Sequence, residues 1–461
     1  MLSQSKTVLR SGCILAFATA LAPLASVSQD TQVRYLNYSE SQDTIRLFAG
    51  SALPGTEIAD ASTWDTWIRQ QDQQVRERID RGVEDSISNL ILYGTSYTNL
   101  PRLNAAETSI SPSGELSAEA RSRVRVLATA LQTASRVERV RFAYQFLSRK
   151  GIAQDQLEEF LTQNLKRFAN EQRDYQAKLE EAGKAADPME VLLTRGTLYQ
   201  SRGLSVDTSL LPNYALEDTL RAMVRKGALA PGKIKRIAVI GPGLDFTDKR
   251  DGYDFYPLQT IQPFAVMEAV LRLELASPPD VEVVTFDLNP AVNGHISTLA
   301  KNGKARRAYV VQLPRDTAAD WSPSAVDYWE HFGEVLGTPA KPLPVPPALG
   351  GVTLRAVSIE PKYASRVVPL DLDIVAQTVD LADSQRFDLI VATNVLVYYD
   401  RFQQSLAMAN IARLMNPGGI FLCNSVLPAQ HDPQLAFLGR RTVNYSEARA
   451  YGDDVVVYQK R

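Results

Sequence analysis

The chain of 461 residues is longer than one ordinary hydrophobic core, so two or three domains are expected. Hydrophobic content of 45% and charged content of 22% are those of a globular protein, and 50 basic against 52 acidic residues leave a formal charge of -2. That balance argues against a nucleic-acid partner. Three histidines (His295, His331, His431) and two cysteines argue against a His-rich or Cys-based zinc site.

At the start, Lys6 and Arg10 precede the uncharged run Cys13–Val27, which closes in small residues before Asp30. A basic start, a short apolar stretch and a small-residue end make residues 1–28 a signal peptide. The alternative is an N-terminal membrane anchor, against which the shortness of the run and Pro23 both count. An exported chain, periplasmic or secreted, is therefore expected, or a membrane-anchored one. A cytoplasmic protein follows if translation starts downstream. Removal of residues 1–28 leaves Cys423 alone, so no internal disulfide is expected.

Residues 29–230 read as a mainly α-helical domain of unknown role. Trp64 and Trp67 fall on a predicted helix that runs through Arg76, and Ser86–Tyr93 is apolar enough to be buried. Ser117 is an N-cap with Glu119 in the first turn of a helical stretch with few breakers before Gly151, its apolar face carrying Val124, Leu127, Leu131 and Val137. A second helix over Gln154–Ala182 places Leu157, Phe160, Leu161, Leu165 and Phe168 at three- and four-residue spacing. Further helices are predicted over Pro188–Ser201 and Leu216–Lys226.

Gly227, Pro231 and Gly232 mark a break, after which short apolar strands alternate with helices, the pattern of a parallel α/β sheet over 231–461. The first strand, Ile234–Ile240, ends in Gly241-Pro-Gly243-Leu-Asp245, a glycine turn where open α/β sheets bind ligands. The second, Val281–Asp287, ends in an acid that can hold both hydroxyls of a ribose or, alternatively, cap the next helix. Leu288 and Pro290 would wall an adenine. Thr378-Val-Asp380-Leu381 precedes the strand Phe387–Asn394, helix Arg401–Met415 stops at Asn416-Pro-Gly-Gly419, strand Ile420–Cys423 follows, and Asp454–Tyr458 closes the chain.

The run Phe387-Asp-Leu-Ile-Val-Ala-Thr-Asn-Val-Leu-Val-Tyr-Tyr-Asp400, followed by a helix and Asn-Pro-Gly-Gly, resembles class I methyltransferases, and among them the chemotaxis-receptor glutamate methyltransferases. The resemblance covers about half of the chain. It implies an α/β, Rossmann-like sheet, mostly parallel with an antiparallel last strand, and S-adenosylmethionine as cofactor. It also implies that Gly241, Gly243 and Asp245 cradle the methionine part, that Asp287 holds the ribose with Leu288 beside the base, that Asp380 and Leu381 border the adenine, and that Asn394 lies beside the reacting methyl. The acceptor would be a small molecule or a protein side chain. No nucleic acid is expected, and membrane contact only through a retained N-terminal anchor.

Two departures stand out: insertions near 247–257 and 314–350, the second carrying Trp321 and Trp329 on a short helix. Both are either lids and substrate readers or surface decoration. The receptor enzymes' N-terminal substrate domain is not recognisable, so their protein-glutamate substrate is not carried over. Tyr398 reads as a packing residue and His295 as a surface helix residue. Asp371 and Asp373 read as part of an alternating exposed strand rather than a metal site. A nicotinamide-dependent oxidoreductase would need a third glycine where Phe246 stands. The remaining alternative is a degenerate methyltransferase-like domain that binds a ligand or partner in an exported protein.

Overall fold

The computed structural model describes residues 32–50, 58, 60–103, 110–111, 114–133, 135–183, 199, 202–247, 253–278, 280–424, 427, 434–449 and 451–461. The signal segment lies outside these residues, as does the helix expected over Pro188–Ser201 apart from Tyr199. No helix among the described residues is long and apolar enough to cross a membrane.

In chain order the elements are β1 (Val33–Tyr35), α1 (Tyr38–Leu47), α2 (Ala61–Tyr93), α3 (Ala118–Gln132), α4 (Glu138–Arg149), α5 (Leu157–Gly183) and α6 (Leu211–Arg225). They continue with β2 (Arg236–Ile240), α7 (Gln262–Arg272), β3 (Glu282–Asp287), α8 (Pro290–Lys304), β4 (Tyr309–Asp316), α9 (Pro323–His331), β5 (Gly337–Ala340) and β6 (Val352–Ile359). The last are α10 (Pro361–Ala364), β7 (Val367–Asp371), β8 (Gln377–Val379), β9 (Phe387–Ala392), α11 (Arg401–Leu414), β10 (Met415–Cys423), β11 (Leu435–Asn444) and β12 (Gly452–Lys460).

The main sheet has seven strands in the order β11-β12-β10-β9-β2-β3-β7. From β10 to β7 neighbouring strands are parallel, while β12 runs antiparallel to both β10 and β11. The chain proceeds outward from β2 through β3 to β7 and then returns to β9 on the other side of β2. The order therefore reverses between β2 and β9, where open α/β sheets form a ligand crevice. This is the Rossmann-like α/β sheet that the strand pattern predicts.

Alternate residues of one strand serve two cores, as the two-residue side-chain period requires. Ile237 and Val239 pack with Leu216 and Leu220 of α6 and Phe264 of α7. Ala238 and Ile240 face the other way, onto Trp64, Ile68, Val75 and Ile79 of α2 and Phe402 of α11. A third cluster joins the C-terminal half of α2 to α3, α4 and α5. The 33-residue α2 thus lies on the sheet with one half and in the helical bundle with the other. A domain break at 230/231 is therefore corrected: α1, α6 and the first half of α2 belong to the sheet's own layers, and only the remainder forms a separate bundle.

Other expectations change for local reasons. The unbroken stretch after Ser117 is two helices, divided between Gln132 and Glu138. Strand β5, inside the second insertion, joins β4 and β6, which border the insertion, in a three-stranded sheet of order β4-β6-β5. Pro314 and Pro339 lie on its two edge strands, where a missing N–H is tolerated, and the central β6 has none. Strand β11 also went unpredicted, since it is an edge strand whose burial is patchy and whose middle carries Arg440 and Arg441.

Candidate active site

At the carboxyl ends of β2, β3, β7 and β9 lies a cavity of about 420 Å³, within the ~300–1,000 Å³ range of small-molecule sites. Gly241, Gly243, Asp245, Asp287, Leu288 and Asn394 all line it. Six of the eight residues singled out from sequence therefore converge.

The glycine turn is built as required, though for a reason the sequence hid. Gly241 and Gly243 sit at φ +67 and +66, a backbone region that L side chains rarely adopt. A Cβ on Gly243 would lie 2.7 Å from the carbonyl oxygen of Val206, and one on Gly241 would lie 2.4 Å from Val395 Cγ2. Their bareness thus admits neighbouring chain as well as opening backbone to the cavity. The neighbour of Gly243 is the segment 204–208, which bridges to the turn: Leu244 N–H donates to Val206 O at 2.7 Å and Thr208 N–H to Leu244 O at 3.2 Å. Ser205 to Pro212 line the cavity, and no motif in the sequence marks them.

Asp287 ends β3 and is partly open to the cavity. Its carboxylate accepts the Asn289 N–H at 2.8 Å and also the backbone N–H of Gly243. The helix-cap reading does not hold for it, because the side chain that caps α8 is Asn289. Burial pushes the Asp287 carboxyl up to about 7, opposed by those N–H donors and reinforced by Asp371.

Asp380 and Leu381 are corrected, since neither lines the cavity. The segment β8 pairs antiparallel with β1, which sets Arg34 across from Thr378. Arg34 then takes the Asp380 carboxylate in two bonds of 2.8 and 2.7 Å on the surface. In place of these residues the cavity has Leu372, Asp373 and Ile374, just past β7. Asp371 is half-exposed and paired with Arg76 at 2.8 Å, but Asp373 is buried. An alternating exposed strand is therefore the wrong reading of this pair. Asp373 Oδ1 accepts the Val375 N–H, whereas its buried Oδ2 has no hydrogen-bond partner among the described residues. Burial lifts this carboxyl too to about 7. Tyr399, fully buried at the same end of the cavity, feels the charges of both Asp373 and Asp287.

Asn394 stands at φ 57 and is clasped by Asn424: its N–H donates to Asn424 Oδ1 at 2.7 Å, and Asn424 Nδ2 donates to its Oδ1 at 2.6 Å. That clasp ties the ends of β9 and β10 together. Tyr398 packs as expected, edge-on to Tyr199, and also lines the cavity. His295 is corrected from a surface residue: its Nε2 meets the Tyr309 hydroxyl at 3.0 Å, and burial lowers its pKa. Phe246, at the place of a third glycine, is buried against Phe142 of the bundle, 5.1 Å between ring centroids.

Both insertions reach the cavity, the first with Tyr253 and Tyr256 and the second with Trp321. Asp245 is buried, its Oδ2 accepting the Tyr256 hydroxyl at 2.8 Å and Gln259 Nε2 at 3.0 Å. It fixes the wall of the cavity. Among the described residues no group of three or more potential metal ligands occurs.

The sequence matches no family model and no curated relative. Among solved structures, the N-methyltransferase NodS of Bradyrhizobium japonicum WM9 with S-adenosyl-L-homocysteine is 14% identical. It covers 62% of this chain and 97% of its own, with a TM-score of 0.27. Magnesium protoporphyrin IX methyltransferase (ChlM) of Synechocystis PCC 6803 with bound SAM is 10% identical over 63% of this chain and 91% of its own, also with a TM-score of 0.27. The CurJ carbon methyltransferase is 14% identical over 92% and 98%, with a TM-score of 0.24.

Proposed function

We propose that the cavity binds S-adenosylmethionine and that the chain transfers its methyl group to a small-molecule or protein side-chain acceptor. One observation carries this reading: a carboxylate at the tip of β3 lies hydrogen-bonded to the glycine turn of β2, beside the point where strand order reverses. The donor set suits the group. Asp287 offers acceptor oxygens to a ribose diol, and Leu288 offers an apolar face to a base. Once ionised, above about pH 7, the orphaned Oδ2 of Asp373 would supply the acceptor for an exocyclic amine that Asp380 was expected to provide. The finer likeness to receptor methyltransferases rests on Phe387–Asp400 alone.

The cofactor would supply a methyl carbon on a positively charged sulfur, ready for displacement by a nucleophile. The protein's own work is to hold the reacting partners in line and keep water away, worth up to ~7–11 kcal/mol of a barrier. Gly241 and Gly243 present backbone, Asp287 orients the sugar, and the Asn394–Asn424 clasp keeps the end of β9 in place.

Equilibrium binding of S-adenosylmethionine and S-adenosylhomocysteine to the full chain, by calorimetry, tests the reading. Asp287→Ala should weaken both roughly 10- to 150-fold, the equivalent of one hydrogen bond to a charged group. No binding by the intact chain would sink the proposal and favour a non-catalytic binding module.

A further inference from the structure

The two insertions, some sixty residues apart in sequence, meet over the cavity. Tyr253 and Tyr256 from the first form one apolar cluster with Leu349 from the second, and Phe255, Val345 and Val352 pack against it. The helical bundle holds this cluster from behind. Arg139 of α4 is buried and donates to the carbonyls of Asp245, Phe246 and Tyr256. Its guanidinium also lies 5.0 Å from the Tyr256 ring centroid. Asp254 is buried as well, and its two oxygens accept the backbone N–H and hydroxyl of both Thr95 and Ser96. Such fastening belongs to a built wall rather than to surface decoration.

The chemistry of that wall is apolar. The Tyr256 hydroxyl is engaged by Asp245, Gln259 donates to Asp245 and to Gln312 O, and Gln312 N–H donates back to Gln259 Oε1. With these polar groups bonded to one another, rings and aliphatic groups remain for a ligand. Tyr253, Trp321, Leu313 and Pro314 contribute them. Trp321 is backed by the Arg315 guanidinium, 5.9 Å from its ring centroid. Flat aromatic walls favour a planar guest through offset stacking and edge contacts. A carboxylate entering here would lose its hydration and meet ring faces and the Asp245 carboxylate instead of a cationic partner.

We propose that this half of the cavity receives a planar, uncharged, apolar small molecule as its second ligand, which is the methyl acceptor if the nucleoside reading of the other half holds. An anionic protein side chain does not suit it.

The test uses the full chain saturated with S-adenosylhomocysteine and titrated with 6-propionyl-2-(dimethylamino)naphthalene, an uncharged planar probe whose emission shifts to the blue in apolar surroundings. Saturable blue-shifted binding is expected. Naphthalen-2-ol should displace the probe at least tenfold better than 2-naphthoate, its anionic counterpart. Trp321→Ala and Tyr253→Ala should each weaken the probe tenfold or more, while Trp321→Phe and Tyr253→Phe, which keep a ring and the packing, should stay within threefold. The proposal is overturned by absence of binding, by equal competition from naphthoate, or by alanine variants that remain folded by circular dichroism and bind as the parent does. Calorimetry of S-adenosylhomocysteine on the same samples separates the two readings. If it fails to bind but probe binding still depends on Trp321 and Tyr253, the nucleoside reading falls and this one stands.

Discussion

The sheet and the helical bundle are held together by different means, and the contrast shows what the bundle is for. In the sheet, Ile237, Val239, Val283, Leu389 and Val391 are fully buried apolar residues joined by parallel ladders. The bundle has an apolar core too, but two buried arginines run through it whose bonds go to carbonyl groups. Arg123 donates to Ile91, Gly94, Leu100 and Pro101, all within the bundle. Arg139 uses the same chemistry across the boundary, on the loop that follows the glycine turn. One arginine closes the bundle on itself, and the other makes the bundle part of the site.

The largest effects should come from removing these two groups. Arg139→Leu and Arg123→Leu each leave several buried carbonyls unpaired, at ~1–3 kcal/mol apiece, so each should cost about 3–5 kcal/mol in urea unfolding. At temperatures where both variants remain folded they should diverge. Arg139→Leu should weaken ligand binding in the cavity, and Arg123→Leu should leave it within twofold. Equal losses of binding would erase the distinction drawn between them.

Next in size is Gly243→Ala. A Cβ there meets the Val206 carbonyl at 2.7 Å in a left-handed backbone conformation, so strain and clash together should cost about 2–3 kcal/mol by thermal unfolding. A neutral outcome would show that segment 204–208 is not seated on the turn as described.

What could be read in advance follows the same division. Glycines after an apolar strand, an acid at the tip of the next and a polar residue at the end of Phe387–Asn394 are local patterns, and the sheet brings their positions together. Arg139 gives no such signal, because its partners are main-chain carbonyls more than a hundred residues away. Asp373 and Asp380 were exchanged for a related reason. Both follow short apolar stretches, and only the pairing of β8 with β1, set by a three-residue strand at the start of the described chain, turns Asp380 outward. Ser205–Pro212 join the cavity through backbone contacts that no side-chain pattern encodes.

Asp373 offers a smaller, pH-dependent test of the cavity side. An aspartate in the unfolded chain ionises near pH 4, whereas burial holds this one protonated to about 7. Between those values the folded state binds more protons than the unfolded one, so stability should fall as pH rises from about 4 to about 7 and level off above. Asp373→Asn removes that penalty. Its melting temperature should exceed the parent's by about 2 °C or more at pH 8 and match it at pH 4.5. An unchanged pH profile would mean that the orphaned oxygen is solvated.

Asp380→Asn should have the least effect, and its value lies in the contrast with Asp373. The Arg34 hydrogen bonds hold the Asp380 carboxyl below the usual range, so its contribution is present above pH ~4 and lost on acidification. The carboxylate is 73% exposed, and exposed pairs are typically worth ~0–1 kcal/mol and weaken with salt. The variant should therefore lose less than about 1 kcal/mol at low ionic strength, nothing measurable at high salt, and bind S-adenosylhomocysteine as the parent does. A loss of binding as large as that from Asp287→Ala would return Asp380 to the nucleoside site and require β8 to leave β1, since that pairing holds the carboxylate away from the cavity.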